Sequence, residues 1–368
     1  MLRTLALLRE LYNAALQERR DAYKRTGKSP SCYDQQKSII EVRELRPEFE
    51  DIHTHLLQDA LSRLDRAFKS FFRRCKAGEE PGYPRFKGRG QYNTFTFKDA
   101  ANGNGAKLAA GNKRLSITGI GKVKIKLHRP HQGRIKQISV TLDGDGHWYA
   151  CLSCDEVPAK PLPATTSHIG VDVGIEAFAT GSDRSRIENP RLLQRAQREV
   201  ARAQRRVSRR KRGSSRRREA VRILARKHAN VRNSRTNFLH KVARSLVEKH
   251  QSITVEDLNI KGLASGMLAK QVSDVSWAQF TTILAAKAEW AGREFIAVDP
   301  RGSSQECSRC HAYVPKPLGV RTHRCDSCGL VVHRDINAAR VLQTRGRRVR
   351  GGALNAAAED PRSPCLGR

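Results

Sequence analysis

The sequence contains no long apolar run, and this absence narrows the classes of protein that fit it. None of its apolar stretches approaches the roughly 18 consecutive residues that a membrane-spanning helix needs. Its amino-terminal residues also lack the pattern of a secretory signal peptide. We therefore expect a cytoplasmic protein with no membrane segment.

The sequence is also poor in acidic residues, which leaves a large excess of positive charge. The chain of 368 residues has 36 Asp and Glu against 70 Lys and Arg, so its formal net charge is +34 at pH 7. This excess would repel itself in a compact globule unless a polyanion neutralised it, which favours nucleic acid as the partner. The length predicts two or three domains, with enough residues for a real core.

Nine cysteines, an odd number, fit a reducing compartment better than a disulfide framework. Four of them form Cys307-x-x-Cys310 and Cys325-x-x-Cys328, with fourteen residues between the two pairs. This spacing is typical of two thiolate knuckles that close a tetrahedral Zn²⁺ shell; chance pairs or disulfides are the alternative. A closed shell has no open coordination position, so we expect the zinc to fold its module and to do no chemistry.

The first part of the chain is predicted to be helical. Apolar residues up to position 78 repeat at three-four spacing, which predicts two or three packed helices. Residues 81–90 then break the helices and mix turn residues with aromatics and bases. Arg85 and Lys87 therefore lie either in a loop that contacts nucleic acid or in a turn-rich linker.

Residues 91–157 change to the period of a half-buried strand. Polar and apolar residues alternate there, which predicts an antiparallel sheet or a small barrel. One strand carries Lys122, Lys124 and Lys126 on a single face. That face either contacts phosphate or is merely solvated.

A strongly basic helical hairpin is predicted over residues 190–250, because heptad-like apolar seams lie on either side of a glycine-serine turn. Between Arg191 and Arg235 there are eighteen Lys or Arg and two Glu, a net charge of +16. A solvated helix face usually mixes charges of both signs and this one does not, so we expect contact with a nucleic-acid backbone. The candidate contact residues are Arg205, Arg206, Arg209, Arg210, Arg216 and Arg217.

Acidic residues in three separate segments are candidates for a second metal centre. Asp172 lies in a predicted strand between two glycines, which leave room for a ligand to approach closely. A later strand ends in Glu256 and Asp257, whose side chains alternate between faces, so either one can join Asp172. Asp335 follows the last clustered cysteine by seven residues, where a helix begins. Such acids suit two Mg²⁺ ions about 3.5–4 Å apart that hydrolyse a phosphodiester, and they suggest a ribonuclease-H-like nuclease.

Taken in order, these motifs resemble the transposon-encoded TnpB (OrfB) family, relatives of the type V CRISPR effectors. The resemblance spans nearly the whole chain. It implies that the catalytic acids and magnesium ligands are Asp172, Glu256 and Asp335, and it selects Glu256 over Asp257. The motifs that carry it are Gly170-Val171-Asp172-Val173-Gly174, Val255-Glu256-Asp257-Leu258-Asn259, the four cysteines and Arg334-Asp335-Ile336-Asn337-Ala338-Ala339.

The resemblance implies an α/β plus α+β fold class, with an RNase H-like (RuvC) nuclease domain and its zinc-ribbon insertion behind a helical recognition lobe and a β-barrel wedge domain. Family members begin with a strand upstream of residues 11–16, whereas this chain starts in a predicted helix, so we expect one strand of the barrel to be missing. The expected boundaries are 1–80 for the lobe, 81–160 for the wedge, 165–300 for the nuclease domain with its Arg-rich hairpin 190–250, 301–331 for the zinc ribbon, 332–343 for the final RuvC segment and 344–368 for a disordered tail.

The activity that the resemblance implies is cleavage of double-stranded DNA beside a short adjacent motif. The implied cofactors are structural Zn²⁺, two catalytic Mg²⁺ ions and a guide RNA transcribed from the transposon end. Such a protein would be associated with the nucleoid when it is bound to DNA. Two alternatives stay open: a nuclease-inactive RNA-guided DNA-binding regulator, and a transposase that joins DNA ends.

Overall fold

The computed structural model describes residues 1–109, 111, 113–263, 274–317 and 319–358. The chain forms two compact units, Met1–Pro158 and Ala159–Arg368. No helix in these described ranges is long and apolar enough to cross a membrane.

The first unit begins with four helices, where two or three were predicted. The three-four repeat of apolar residues places Leu8 and Leu16 of one helix and Leu57 and Leu64 of another in a fully buried seam. The helices are α1 (Leu2–Thr26), α2 (Cys32–Lys37), α3 (Ile39–Leu45) and α4 (Thr54–Lys76).

Six antiparallel strands follow in two sheets of three, with the orders β1-β5-β6 and β2-β3-β4. The predicted barrel is therefore wrong for the described residues, because the two sheets are not hydrogen-bonded to each other and several strands have only three or four residues. Phe95 and Phe97 of β1 join the core of the helices, so the predicted boundary at residue 80 does not separate two cores. The strands are β1 (Thr94–Phe97), β2 (Ala106–Leu108), β3 (Arg114–Ile117), β4 (Gly121–Lys124), β5 (Arg134–Leu142) and β6 (Trp148–Asp155).

The second unit is built on a mixed sheet with the order β11-β10-β7-β8-β9. β10 pairs in parallel with both β7 and β11, whereas β8 and β9 extend the sheet in antiparallel fashion. The strands are β7 (His168–Val173), β8 (Ala177–Gly181), β9 (Arg186–Glu188), β10 (Ser252–Glu256) and β11 (Glu294–Val298).

Helices cover both faces of this sheet. Ile169, Val171 and Val173 point to one face and share a core with the long hairpin helix and with Phe280. The alternate residues of the same strand, Gly170 among them, face the last helix of the chain. The helices of this unit are α5 (Leu192–Ser208), α6 (Ser215–Lys249), α7 (Ile260–Leu263), α8 (Trp277–Trp290) and α9 (Arg334–Ala358).

Helix α9 is longer than predicted. A disordered tail was predicted from residue 344, but Arg345 makes hydrogen bonds, Gly346 packs on β10 and the helix continues to Ala358, so that prediction is wrong for residues 344–358. The remainder of the predicted tail, residues 359–368, lies outside the described residues.

Candidate active site and metal centre

Two of the three predicted acids lie on neighbouring parallel strands. The register pairs Val171 of β7 with Val255 of β10, so the following residues, Asp172 and Glu256, lie side by side. Side chains at paired positions of parallel strands point to the same face. Glu256 therefore shares the face of Asp172, whereas Asp257 lies past the strand end and is exposed.

The third acid, Asp335, is in the first turn of α9, which packs on that same face of the sheet. The helix comes so close that a Cβ atom at Gly170 would lie 1.9 Å from the carbonyl oxygen of Ala339 and 2.6 Å from the Gln343 nitrogen. The glycine before Asp172 was predicted to leave room for a ligand. Its room is instead filled by the backbone of α9, and this contact brings Asp335 to the acids of the sheet.

The charges of Glu256 and Asp335 both act on Asp172. Burial, then the negative charges of Glu256 and Asp335, raise the pKa of Asp172 well above its usual range, and the neighbouring Arg334 opposes this. Burial also raises the pKa of Glu256, against a hydrogen bond from Ser303 and the positive charge of Arg345. Carboxylates that repel one another in a low-dielectric site are a donor set that fits a hard divalent cation.

The four predicted zinc ligands converge more tightly than the acids do. Their Sγ atoms lie within 4.8 Å of one another, and among the described residues this is the group that is close enough to share an ion as it stands. Cys307 and Cys325 are fully buried. Burial raises the pKa of the Cys325 thiol, but hydrogen bonds with the other three sulfurs lower that pKa to about 7. The set is chemically suited to Zn²⁺, which binds thiolates.

Local backbone structure shapes the two cysteine knuckles. The residues that follow the second cysteine of each pair, His311 and Gly329, have positive φ angles of 62° and 70°. Their amides donate to the carbonyl oxygens of Cys307 and Cys325, at 3.0 and 2.8 Å. The second knuckle lies between β12 (Thr322–Arg324) and β13 (Val331–His333), which pair in antiparallel fashion.

Asn337 ties this cysteine module to the helix that carries Asp335. Its fully buried side chain donates to the Glu306 carbonyl oxygen at 2.7 Å and accepts from the Ser308 amide at 2.9 Å. Those two residues flank Cys307. The fold of the module therefore fixes the start of α9, and with it the position of Asp335.

Sequence reasoning missed the residues around the acids that support them. Ser303 donates to Glu256, Arg345 lies near the same carboxylate, and Arg334 lies beside Asp172. Ser303 and Arg345 have no motif spacing that could have revealed them. Asn337 stands inside a quoted motif, but the sequence did not indicate its role.

Four of the predicted arginines of the basic hairpin, Arg205, Arg206, Arg209 and Arg210, line a cleft of about 520 Å³ along α5 and the residues just after it. Among the described residues, none makes an ion pair or a hydrogen bond with the guanidinium groups of the five arginines of this cleft, although the charge of Arg202 helps to lower the pKa of Glu199. Arg216 is exposed beyond the turn. Arg217 differs from the prediction, because its guanidinium donates to the carbonyl oxygens of Val207 and Arg210 and closes the hairpin. The cleft is lined by Arg202, Arg205, Arg206, Arg209 and Arg210.

The predicted basic residues of the first unit are on its surface. Lys122 and Lys124 are exposed on β4, and Lys126 is exposed beyond the strand end. Arg85 is also exposed. The backbone of Lys87 is held by the Asn13 side chain, which accepts from its amide at 2.8 Å and donates to its carbonyl oxygen at 3.0 Å. The segment is therefore anchored to α1.

Comparison with known proteins gives two matching family models. Residues 149–266 match OrfB_IS605, described as "Probable transposase". Residues 277–342, which include the cysteine module and Asp335, match the Cas12f1-like TNB domain.

Two curated relatives and one solved structure extend over most of the chain. A Streptomyces pristinaespiralis protein named "Putative RNA-guided DNA endonuclease" is 33% identical and covers 94% of this chain and 85% of its own length. The Escherichia coli K12 protein "Putative RNA-guided DNA endonuclease InsQ" is 29% identical, and the match covers 88% of this chain and 81% of that protein. A protein chain in the solved structure of a CRISPR-Cas12f ternary complex is 14% identical. The match covers 93% of this chain and 80% of that chain, with a TM-score of 0.40.

Proposed function

Since this chain belongs to the TnpB (OrfB) family, we propose that it is an RNA-guided DNA endonuclease that hydrolyses phosphodiesters with Mg²⁺ at Asp172, Glu256 and Asp335. The observation that carries the proposal is that Asp172 lies beside Glu256 in the strand register and feels the charges of both other acids. The three acids come from β7, β10 and α9, yet the other two carboxylates raise the pKa of Asp172. Scattered surface acids would not do so.

The sheet supports an RNase H-like (RuvC) assignment for the second unit. Its strand order places an antiparallel hairpin extension on one side of β7 and two parallel strands on the other. Ligands of open α/β sheets bind at the carboxyl ends of the parallel strands, and Asp172 and Glu256 lie there.

Each acid has a neighbour that supports its role. Ser303 donates to Glu256 and fixes the orientation of its carboxylate. Arg334 offsets part of the negative charge around Asp172. Mg²⁺, when bound, supplies water activation and stabilises the leaving oxygen of the DNA strand.

The cysteines and the basic surfaces have separate roles. Cys307, Cys310, Cys325 and Cys328 hold structural Zn²⁺, and Asn337 transmits the fold of that module to Asp335. The exposed arginines of α5 contact phosphates, while pairing between the guide RNA and its DNA target reads the sequence. The basic residues of the first unit add backbone contacts through Arg85, Lys87, Lys122, Lys124 and Lys126.

The test is a nicking assay with the full chain and the RNA that co-purifies with it. Asp172→Ala removes a metal ligand and no phosphate contact, so we expect it to abolish conversion of supercoiled target plasmid to open circles while RNA binding is unchanged. Asp257→Ala, at the exposed neighbouring acid, is the matched control and should cut like the wild type.

The products separate this proposal from its alternatives. Free 5′-phosphate ends support a nuclease. Target binding without cutting by the wild type indicates the regulator, and joined strands indicate the transposase. Full cutting by Asp172→Ala rejects the assignment of the acids.

A further inference from the structure

One loop makes side-chain contacts with both Glu256 and the last helix, α9. Residues 299–306 run from the end of β11 to the first cysteine of the zinc module. Ser303 in this loop is buried and donates through Oγ to Oε1 of Glu256 at 2.6 Å. A hydrogen bond to an ionised carboxylate is among the stronger ones, so it restricts the rotation of Glu256.

Arg345 holds the loop on both sides of that serine. One guanidinium nitrogen donates to the carbonyl oxygens of Asp299 and Arg301, at 2.7 and 3.0 Å. The other donates to Oε2 of Glu306 at 2.7 Å. All three acceptors lie within four residues of Ser303, and the Arg345 and Glu306 side chains are only 23% and 20% exposed.

The loop between these anchor points is a set of tight turns. Gly302 has a φ angle of 71°, and the amides of Gln305 and Glu306 both donate to its carbonyl oxygen. The Ser303 amide donates to the carbonyl oxygen of Pro300 at 3.2 Å. Because the loop is cross-braced internally, fixing its ends fixes the serine between them.

We propose that Arg345 is a positioning residue for Glu256. Its guanidinium holds the 299–306 loop so that Ser303 occupies one carboxylate oxygen of Glu256 and leaves the other for the divalent cation. This inference rests on the proposed function and names a further residue of the same site. Arg345 lies ten residues after Asp335 on α9, so one helix supplies one metal ligand and orients another.

A purely electrostatic role is the competing explanation, because the positive charge of Arg345 also lies near Glu256. The two roles separate on substitution by lysine. Lysine keeps the charge but has a single nitrogen on a flexible stem and cannot reproduce the planar fork that reaches three acceptors. A positioning role therefore predicts a defect in Arg345→Lys that a charge role does not.

The experiment measures Mn²⁺ binding to the zinc-loaded full chain by electron paramagnetic resonance, without nucleic acid. We expect Arg345→Ala and Ser303→Ala each to weaken Mn²⁺ binding about tenfold, since residues that orient a metal ligand through hydrogen bonds carry effects of that size. The double variant should be no weaker than Arg345→Ala, because both changes break the same chain of contacts. Arg345→Lys should recover only a minor part of the loss.

The same variants are then assayed for nicking as Mg²⁺ is raised. The half-saturating Mg²⁺ concentration should rise by the same factor, with most of the maximal rate regained at high Mg²⁺. Arg348→Ala removes an equal charge from an exposed position on the same helix and is the matched control. Zinc content and melting temperature report the fold; if Arg345→Ala unfolds, Arg345→Lys carries the test, because a charge role predicts wild-type Mn²⁺ binding for it and a positioning role does not.

The outcomes distinguish this inference from the proposed function. Wild-type Mn²⁺ affinity in the folded Ser303→Ala and Arg345→Ala variants, or complete rescue by Arg345→Lys, overturns the positioning role while a cutting wild type keeps the proposed function. A wild-type protein that neither binds Mn²⁺ nor nicks its target overturns the proposed function, and this inference with it.

Discussion

Asp172 is the residue whose charge the fold opposes most clearly. Burial and two neighbouring carboxylates raise its pKa, so in the absence of a cation the folded chain binds its proton more tightly than the unfolded chain does. The free energy of unfolding must then fall as pH rises from the unfolded value of about 3.9 through the higher folded value. A bound divalent cation reverses the preference, because it needs the carboxylate ionised.

We therefore predict that Asp172→Asn stabilises the Mg²⁺-free, zinc-loaded protein while it abolishes cutting. The amide has nearly the same shape and cannot ionise, so the melting temperature should exceed that of the wild type by a margin that widens from pH 5 to pH 8. Asp257→Asn, at an exposed position, should melt like the wild type at both pH values. Equal melting temperatures of Asp172→Asn and the wild type at pH 8 would contradict the raised pKa of Asp172.

At this scale the sequence predicted the residues whose signal is local. The cysteine spacing is such a signal, and the thiols converge as expected. The choice between Glu256 and Asp257 was not available from alternation, because it depends on the register of β10 against β7, two strands separated by the whole hairpin. The contacts of Ser303 and Arg345 join residues 39 to 47 positions apart in the chain and leave no periodic trace.

Among the elements, α9 has the most to do with the site, because it lies directly on β7. We predict that Gly170→Ala lowers the free energy of unfolding by about 1–3 kcal/mol, the usual cost of overpacking. The added methyl group would meet the Ala339 carbonyl oxygen, a backbone atom that moves only with the helix. Because Asp335 moves with α9, cutting should fall by more than the loss of folded protein explains.

Gly351 provides the matched control for that change. It lies on the same helix, and a Cβ atom there would meet nothing within 4 Å. Gly351→Ala should be neutral or stabilise the protein by roughly 0.5–1 kcal/mol, since alanine favours the helix. Chemical denaturation of both variants checks the pair, and a Gly170→Ala protein as stable as the wild type would show that α9 is not held against the strand.

The elements themselves were predicted better than their assembly. Hydrophobic period identified the long helices α1 and α4 and strands such as β7 and β10, because each pattern is contained in one segment, but it did not identify β8 and β9. It did not distinguish a barrel from two separate sheets, since β1 pairs with β5 across an intervening sheet. It also missed the length of α9 past residue 344, because glycine and arginine there are typical of tails, whereas Gly346 is needed for close packing on Thr254.

At the scale of the whole molecule, nearly half of the excess positive charge lies in one segment, the basic hairpin. The hairpin segment carries +16 of the net +34, and the arginines lining the α5 cleft make no ion pair with a described residue. Arg244 on α6 differs, because Glu248 pairs with it at 2.6 Å. Charges without a protein partner are the ones that should release counterions when they meet phosphate.

We predict that replacing Arg205, Arg206, Arg209 and Arg210 by glutamine lowers the salt dependence of binding to an RNA–DNA hybrid duplex. Each lost phosphate contact should reduce the slope of log affinity against log salt by about 0.7–0.9, so the four changes together should reduce it by about 3. Fluorescence anisotropy over a salt series measures the slope, and Arg244→Gln is the control that should leave it unchanged.

Because neither change touches the acids or the cysteines, zinc content and Mn²⁺ binding should stay at wild-type values. A reduced slope with intact metal binding would separate the surface that holds nucleic acid from the site that cuts it. An unchanged slope would assign the excess charge to another part of the chain.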